Sequence, residues 1–250
     1  MFSPTINRIR ISLLRRMGFN LDLGHTWERL SAQYSNTTVQ VKLYEFVIKL
    51  LPIWMATKNE KLIERAKNDS QMRDSTSLLG DHYKLLKSIA VSIDAAKVID
   101  IGTYTGMSSL AFMDAGCEVM SFDIVSPFDF NDCLIQDSDL ENGNLNLITE
   151  NLMDDNIFRK YSKHFIDADI IFFDGPKFGG FEQKLLPKIL NLEFRKNTLV
   201  IMDDIQMKKM KILWYEIEFP RLDLTLLGHL SGTGVIFPYL GRIDVSVHNN

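Results

Sequence analysis

Cysteine is scarce in this chain: Cys117 and Cys133 are the only two in 250 residues. Two thiols cannot build a disulfide framework or a four-thiolate zinc site. They are expected as free thiols, a usage that fits a reducing, cytoplasmic compartment. No stretch approaches the ~20 apolar residues of a membrane span; the most apolar one, residues 47–56, is interrupted by Lys49 and Pro52. Neither sign of charge dominates. The formal net charge is −4, which removes any global pull toward nucleic acid or anionic lipid. Internal repeats and low-complexity tracts are missing as well. What remains is a globular chain. At this length it can bury roughly 70–75% of its unfolded surface without staples.

The first twenty residues contain Arg8, Arg10, Arg15 and Arg16, no acid, and apolar residues between them. The uncharged core of a secretory signal is too short here. The expectation is a basic amphipathic helix that packs on the domain or on a second subunit, which would make a homodimer; a transit peptide or a membrane-surface helix is the alternative. From there to residue 95, apolar positions recur at helical spacing, as in Leu43, Phe46, Val47, Leu50 and in Leu85, Leu86, Ile89. The period then changes. Short apolar runs at 98–101, 119–122, 145–149, 170–173 and 199–202 read as parallel strands covered on both faces. Helical patterns separate most of them, for example at 107–115, 182–190 and 207–219. Two further runs, 222–228 and 234–238, flank a short turn and read as an antiparallel hairpin at the sheet edge. The expected architecture is α/β: a doubly wound, seven-stranded, mostly parallel, Rossmann-like sheet over residues 96–250, preceded by a helical cap over residues 1–95. Such sheets bind ligands at the carboxyl ends of their strands.

The first strand runs into Asp100-Ile-Gly102-Thr-Tyr104-Thr-Gly106 and then a helix. A dinucleotide fold needs a glycine where Tyr104 stands, so that a pyrophosphate can approach the backbone. The Gly-Lys-Ser/Thr of a P-loop is absent too. Asp100 would repel a phosphate and attract a cation. The ligand indicated is nucleoside-like, carries positive charge and lacks phosphate. Asp123 ends the second strand, where a carboxylate's two acceptor oxygens suit a ribose diol.

Asp-x-Gly-x-x-x-Gly after a first strand resembles motif I of the class I S-adenosylmethionine-dependent methyltransferases. The resemblance covers about residues 80–240. It implies S-adenosylmethionine as cofactor, held by Asp100, Gly102, Tyr104, Gly106 and Asp123. Adenine contacts are implied near Asn151 and Asp154, where capping of the loop is the alternative. Asp174 after the fourth strand, Asp203 and Asp204 after the fifth, and Lys177 three residues past Asp174 are similar to the ligand and lysine positions of the metal-dependent catechol and caffeoyl-type O-methyltransferases. That likeness implies Mg²⁺ or a similar oxygen-seeking ion on Asp174, Asp203 and Asp204, with Lys177 taking the acceptor's proton. The alternative is a metal-free site in which Asp174 and Asp204 line the cofactor pocket. The surroundings depart from the catechol type at Gly175-Pro176 and at residues 178–180. Residues 203–214 and 228–234 look more like a broad bacterial methyltransferase group of unassigned substrate.

His229 is a further candidate base beside the site, with a hydrogen-bonded turn histidine as the alternative. Asp81 and His82 precede the first strand on the acceptor side. Asp129, Asp132, Asp137, Asp139 and Glu141 read as a solvated acidic insert, because the order of a calcium loop is missing. The expected activity is transfer of a methyl group to oxygen on a small-molecule or glycan-type acceptor. Metal-free N-methylation and a non-catalytic binding subunit are the competing readings. Nucleic acid is not an expected partner, because the chain is slightly acidic and no Asn-Pro-Pro-Tyr-type motif follows the fourth strand.

Overall fold

The computed structural model describes residues 37–68, 70–71, 81–177 and 180–242. The expected N-terminal basic helix lies outside them. The chain divides into two compact units, Met1–Leu43 and Tyr44–Asn250. Of the first unit the described residues comprise only 37–43, which open the long helix α1 (Thr37–Ala56). The second unit continues with α2 (Glu60–Arg65) and α3 (His82–Ser92). Strands and helices then alternate: β1 (Lys97–Ile101), α4 (Met107–Asp114), β2 (Glu118–Asp123), α5 (Asp137–Glu141), β3 (Leu145–Thr149), α6 (Asp155–Asp167), β4 (Ile170–Phe173), α7 (Gly180–Leu190), β5 (Leu199–Asp203) and α8 (Lys208–Glu216). The strands β6 (Arg221–Asp223) and β7 (Thr233–Ile236) close the series. None of the described helices is long and apolar enough to cross a membrane.

The seven strands form one sheet in the order β3-β2-β1-β4-β5-β7-β6. The first five are parallel, and β7 runs antiparallel between β5 and β6. β4 and β5 are buried along their whole length, which is why their sequences are unbroken apolar runs rather than alternating ones. Their side chains join Phe165, Leu185, Leu186 and Trp214 in the main core. Strand order reverses between β1 and β4. A crevice therefore opens there at the carboxyl ends, between a connection that leads to β2 on one side and one that leads to β5 on the other.

Three sequence expectations change. The run at 222–228 is strand only over Arg221–Asp223. Asp223 Oδ1 accepts from Thr225 N at 2.9 Å, an Asx turn that ends the strand whatever the propensity of the leucines beyond it. The helix expected over 207–219 stops at Glu216, and Ile217 turns extended ahead of Pro220. The acidic insert is not uniformly solvated. Asp139 is 6% exposed, and Arg65 grips its carboxylate through both guanidinium nitrogens, at 2.5 and 3.0 Å.

Candidate active site

A cavity of about 540 Å³ occupies the crevice, walled by Gly102 and Tyr104 after β1, Asp123 at the end of β2, Glu150 and Asn151 after β3, and Asp174 after β4. Gly102 makes this possible. At φ +105° it passes so close to β4 that a Cβ would lie 1.9 Å from the Asp174 carbonyl oxygen, and only glycine adopts that conformation freely. Gly106 has a different task. It precedes α4 at φ +90°, where a Cβ would lie 2.4 Å from the Ile135 side chain, and it is not in the cavity wall. Tyr104 has a positive φ of 44°, and its N–H donates to Asp123 Oδ2 at 2.9 Å. Asp123 Oδ1 accepts from Ile124 and Val125 N–H, at 2.7 and 3.2 Å. Three backbone donors thus aim this carboxylate, and Oδ2 keeps a lone pair for a ligand.

Asp100 lies beneath the loop, fully buried and outside the cavity wall. The register places it beside Ser121. Its Oδ2 accepts from Ser108, Ser109 and Ser121 at 2.9, 2.5 and 3.2 Å. Its Oδ1 has no partner among the described residues. Burial pushes its pKa up to about 6, against the pull of the three hydroxyls. Asn151 lines the cavity while its Oδ1 accepts from Met153 N–H at 2.9 Å. Asp154 caps α6 through Asn156 N–H at 2.8 Å and stands outside the wall. Glu150, which no motif marks, is also in the wall. Its Oε1 meets Lys160 at 2.8 Å, and its buried Oε2 has no partner among the described residues.

Asp174, Asp203 and Asp204 converge as their strand ends require. Asp203 and Asp204 are consecutive, and strand alternation would send them to opposite faces. Asp204 sits at φ +58°, and that turn brings both carboxylates to one ammonium. Lys177 Nζ lies 2.6 Å from Asp174 Oδ1, 3.0 Å from Asp204 Oδ2 and 3.2 Å from Asp203 Oδ2. Lys177 itself has a positive φ of 62°, tied down by its N–H donating to the buried Glu182 Oε1 at 2.7 Å. Strained non-glycine residues gather at sites that hold a specific geometry.

Burial opposes the charge on Lys177, but the three carboxylates override it and hold the ammonium far above its ordinary pKa. Lys177 is a fixed cation. Asp174 moves the other way: burial and the negative charge of Asp203 push it up to about 7.

The other oxygen of Asp203 faces two histidines. His229 Nε2 is 2.6 Å from Asp203 Oδ1, and Ser231 Oγ is 2.8 Å from its Nδ1. The β6–β7 connection holds His229 there because Ile205 and Gln206 N–H donate to the carbonyls of Gly232 and Ser231. His82, at the start of α3, sits against the same group. Its Nδ1 is 3.0 Å from Thr233 Oγ1 and 3.8 Å from Asp203 Oδ1, and its ring centroid is 4.3 Å from that of His229. Burial lowers its pKa to about 3, so His82 is neutral. Burial also opposes charge on His229, but the hydrogen bond and charge of Asp203 prevail and its pKa is raised.

No family model and no curated protein matches the chain. Among solved structures it is similar to a protein of Staphylococcus aureus provisionally described as a caffeoyl-CoA O-methyltransferase, at 16% identity over 86% of this chain and 99% of that one, TM-score 0.49. It is similar to a methyltransferase bound to S-adenosylhomocysteine from Podospora anserina, at 14% identity over 82% and 97%, TM-score 0.48. It is also similar to a methyltransferase from Geobacter sulfurreducens, at 17% identity over 62% and 77%, TM-score 0.45. These likenesses bring no residue-by-residue correspondence with them.

Proposed function

We propose that this chain is an S-adenosylmethionine-dependent methyltransferase acting on an oxygen of a small-molecule or glycan-type acceptor. The observation that carries the reading is the crevice at the switch point: an aimed carboxylate, Asp123, faces a cavity bounded by Gly102 and Asp174. In this reading the open lone pair of Asp123 accepts a ribose hydroxyl. The unpartnered Oε2 of Glu150 accepts from the exocyclic amine of adenine, which relieves a buried orphan acceptor. S-adenosylmethionine supplies a methyl group on a cationic sulfur, electrophilic toward an oxygen lone pair.

The acceptor's proton goes to Asp174. Its pKa of about 7 and its place in the cavity wall suit a general base working near neutral pH. Lys177 cannot take that proton, because the carboxylates keep its ammonium charged; its role is to hold Asp174 Oδ1 in position. The need for a base favours oxygen over an amine, whose lone pair is already available. Mg²⁺ requires oxygens at about 2.0–2.1 Å and several waters, and it does not fit between the three carboxylates while Lys177 Nζ fills that space at 2.6–3.2 Å. The positive charge in this reading is the lysine's.

Thermal unfolding with S-adenosylhomocysteine is the test. At about 100 times its dissociation constant the ligand adds ~2.7 kcal/mol, a rise of roughly 5–10 °C for a chain of this size. Asp123→Ala abolishes the rise, and added Mg²⁺ leaves it unchanged. No rise at saturating ligand would remove methyl transfer and leave the binding-subunit reading.

A further inference from the structure

We propose that His82, Asp203 and His229 form a binding site for one divalent transition-metal ion of the zinc class, next to the cavity but not part of its wall. Three separate elements deliver the donors: the first residue of α3, the last residue of β5 and the β6–β7 connection. His82, Asp203 and His229 each offer one ligand atom, and the three atoms lie within 4.8 Å of one another. An ion about 2.0–2.2 Å from nitrogen and oxygen donors holds them about 3–3.5 Å apart. The observed separations from Asp203 Oδ1, 2.6 Å to His229 and 3.8 Å to His82, bracket that range.

The outer contacts are those that metal ligands require. The second nitrogen of His229 meets Ser231 Oγ at 2.8 Å. The second oxygen of Asp203 meets Lys177 Nζ at 3.2 Å. Thr233, paired with Asp203 across β5 and β7, sets its hydroxyl 3.0 Å from His82 Nδ1; that contact is on the ligating nitrogen itself, and the ion would displace it. His82 and Asp203 are each 6% exposed, so the site is closed on two sides, and His229 forms its more open edge.

Charge points the same way. Three carboxylates converge on a single lysine, and a divalent ion on the far side of Asp203 would balance what Lys177 leaves. Two imidazoles with one carboxylate select Zn²⁺, Co²⁺ or Fe²⁺ over Mg²⁺, whose ligands are oxygens. The ion is thus distinct in chemistry and in place from one among Asp174, Asp203 and Asp204.

The experiment takes the full tag-free chain, stripped with a chelator and dialysed, and titrates it with Co²⁺. Visible d–d absorption reports binding, and Zn²⁺ competes for the same site. The expected result is about one ion per chain. His82→Gln and His229→Gln each weaken binding more than ~10-fold, Ser231→Ala weakens it about 10-fold through the outer contact, and Asp174→Asn leaves it intact. Circular dichroism checks each fold, and His82→Asn replaces any glutamine variant that fails. Absence of Co²⁺ and Zn²⁺ binding overturns the proposal. So does binding that survives both histidine variants and disappears in Asp174→Asn, because that places the cation among the carboxylates. Metal binding in a chain with no S-adenosylhomocysteine response would keep this site and remove only the methyltransferase reading.

Discussion

Replacing Asp100 with asparagine isolates one buried charge and gives it a measurable pH signature. Asp100 is fully buried; its folded pKa is pushed up to about 6 from an ordinary value of 3.8. Between those values the folded state keeps a proton that the unfolded chain has released. Stability therefore falls as pH rises through this window, and the loss is complete above the folded value. The gap corresponds to about 3 kcal/mol. Asparagine has no such titration. Its carbonyl can still accept from Ser108, Ser109 and Ser121, but its amide places two N–H groups where Asp100 Oδ1 has no partner, costing about 1–3 kcal/mol at every pH. The absolute stability of Asp100→Asn combines the two effects, so the informative quantity is its difference from the parent at two pH values. Urea unfolding near pH 4 and near pH 7 supplies it. Relative to the parent, the variant gains about 2 kcal/mol between the two conditions, because the unfolded carboxyl is already half ionised near pH 4. The rise in Asp174 occurs in both proteins and cancels. An unchanged difference at the two pH values would refute the account of Asp100 as a charge held at a cost beneath the glycine turn.

Two further substitutions probe the crevice. Gly102→Ala forces a Cβ to 1.9 Å from the Asp174 carbonyl oxygen at φ +105°; it should destabilise by about 3 kcal/mol or more and abolish the thermal response to S-adenosylhomocysteine. Lys177→Met leaves Asp174, Asp203 and Asp204 without their shared ammonium, which should cost about 3–5 kcal/mol at neutral pH. Chemical denaturation should find that cost reduced at mildly acid pH, where Asp174 takes up a proton. A Lys177→Met chain as stable as the parent at neutral pH would mean that the lysine is not the cation that holds the acids together.

Some of this was legible in the residues alone. The run at 170–173 coincides with β4, because a strand buried on both faces carries an unbroken apolar signal; the run at 145–149 coincides with β3, but this edge strand is only partly buried, not covered on both faces as expected. Asp174 and Asp203 were found for the same reason: an acid at the end of such a run lies at the carboxyl rim. His82 shows the limit. It shares a helical face with Leu85, Leu86 and Ile89, and that spacing could have marked it as buried. Nothing in the chain says that this face lies against Asp203. The role of Lys177 was also out of reach. The likeness to metal-dependent O-methyltransferases implied a base, whereas its pKa depends on three carboxylates brought together by two strand ends and a positive-φ turn.

The sequence by itself determined the order of strands and helices, the crevice at the carboxyl ends and the acids around it, because periodicity and turn chemistry act over a few residues. Only the tertiary structure decided which atoms those acids face. Asp100 ended beneath the loop rather than in the cavity, Lys177 became a locked cation, and Asp203 came to divide its two oxygens between a lysine and a pair of histidines. Those outcomes depend on distances between segments far apart in the chain, and on burial, which sets the strength of every charge interaction at the site.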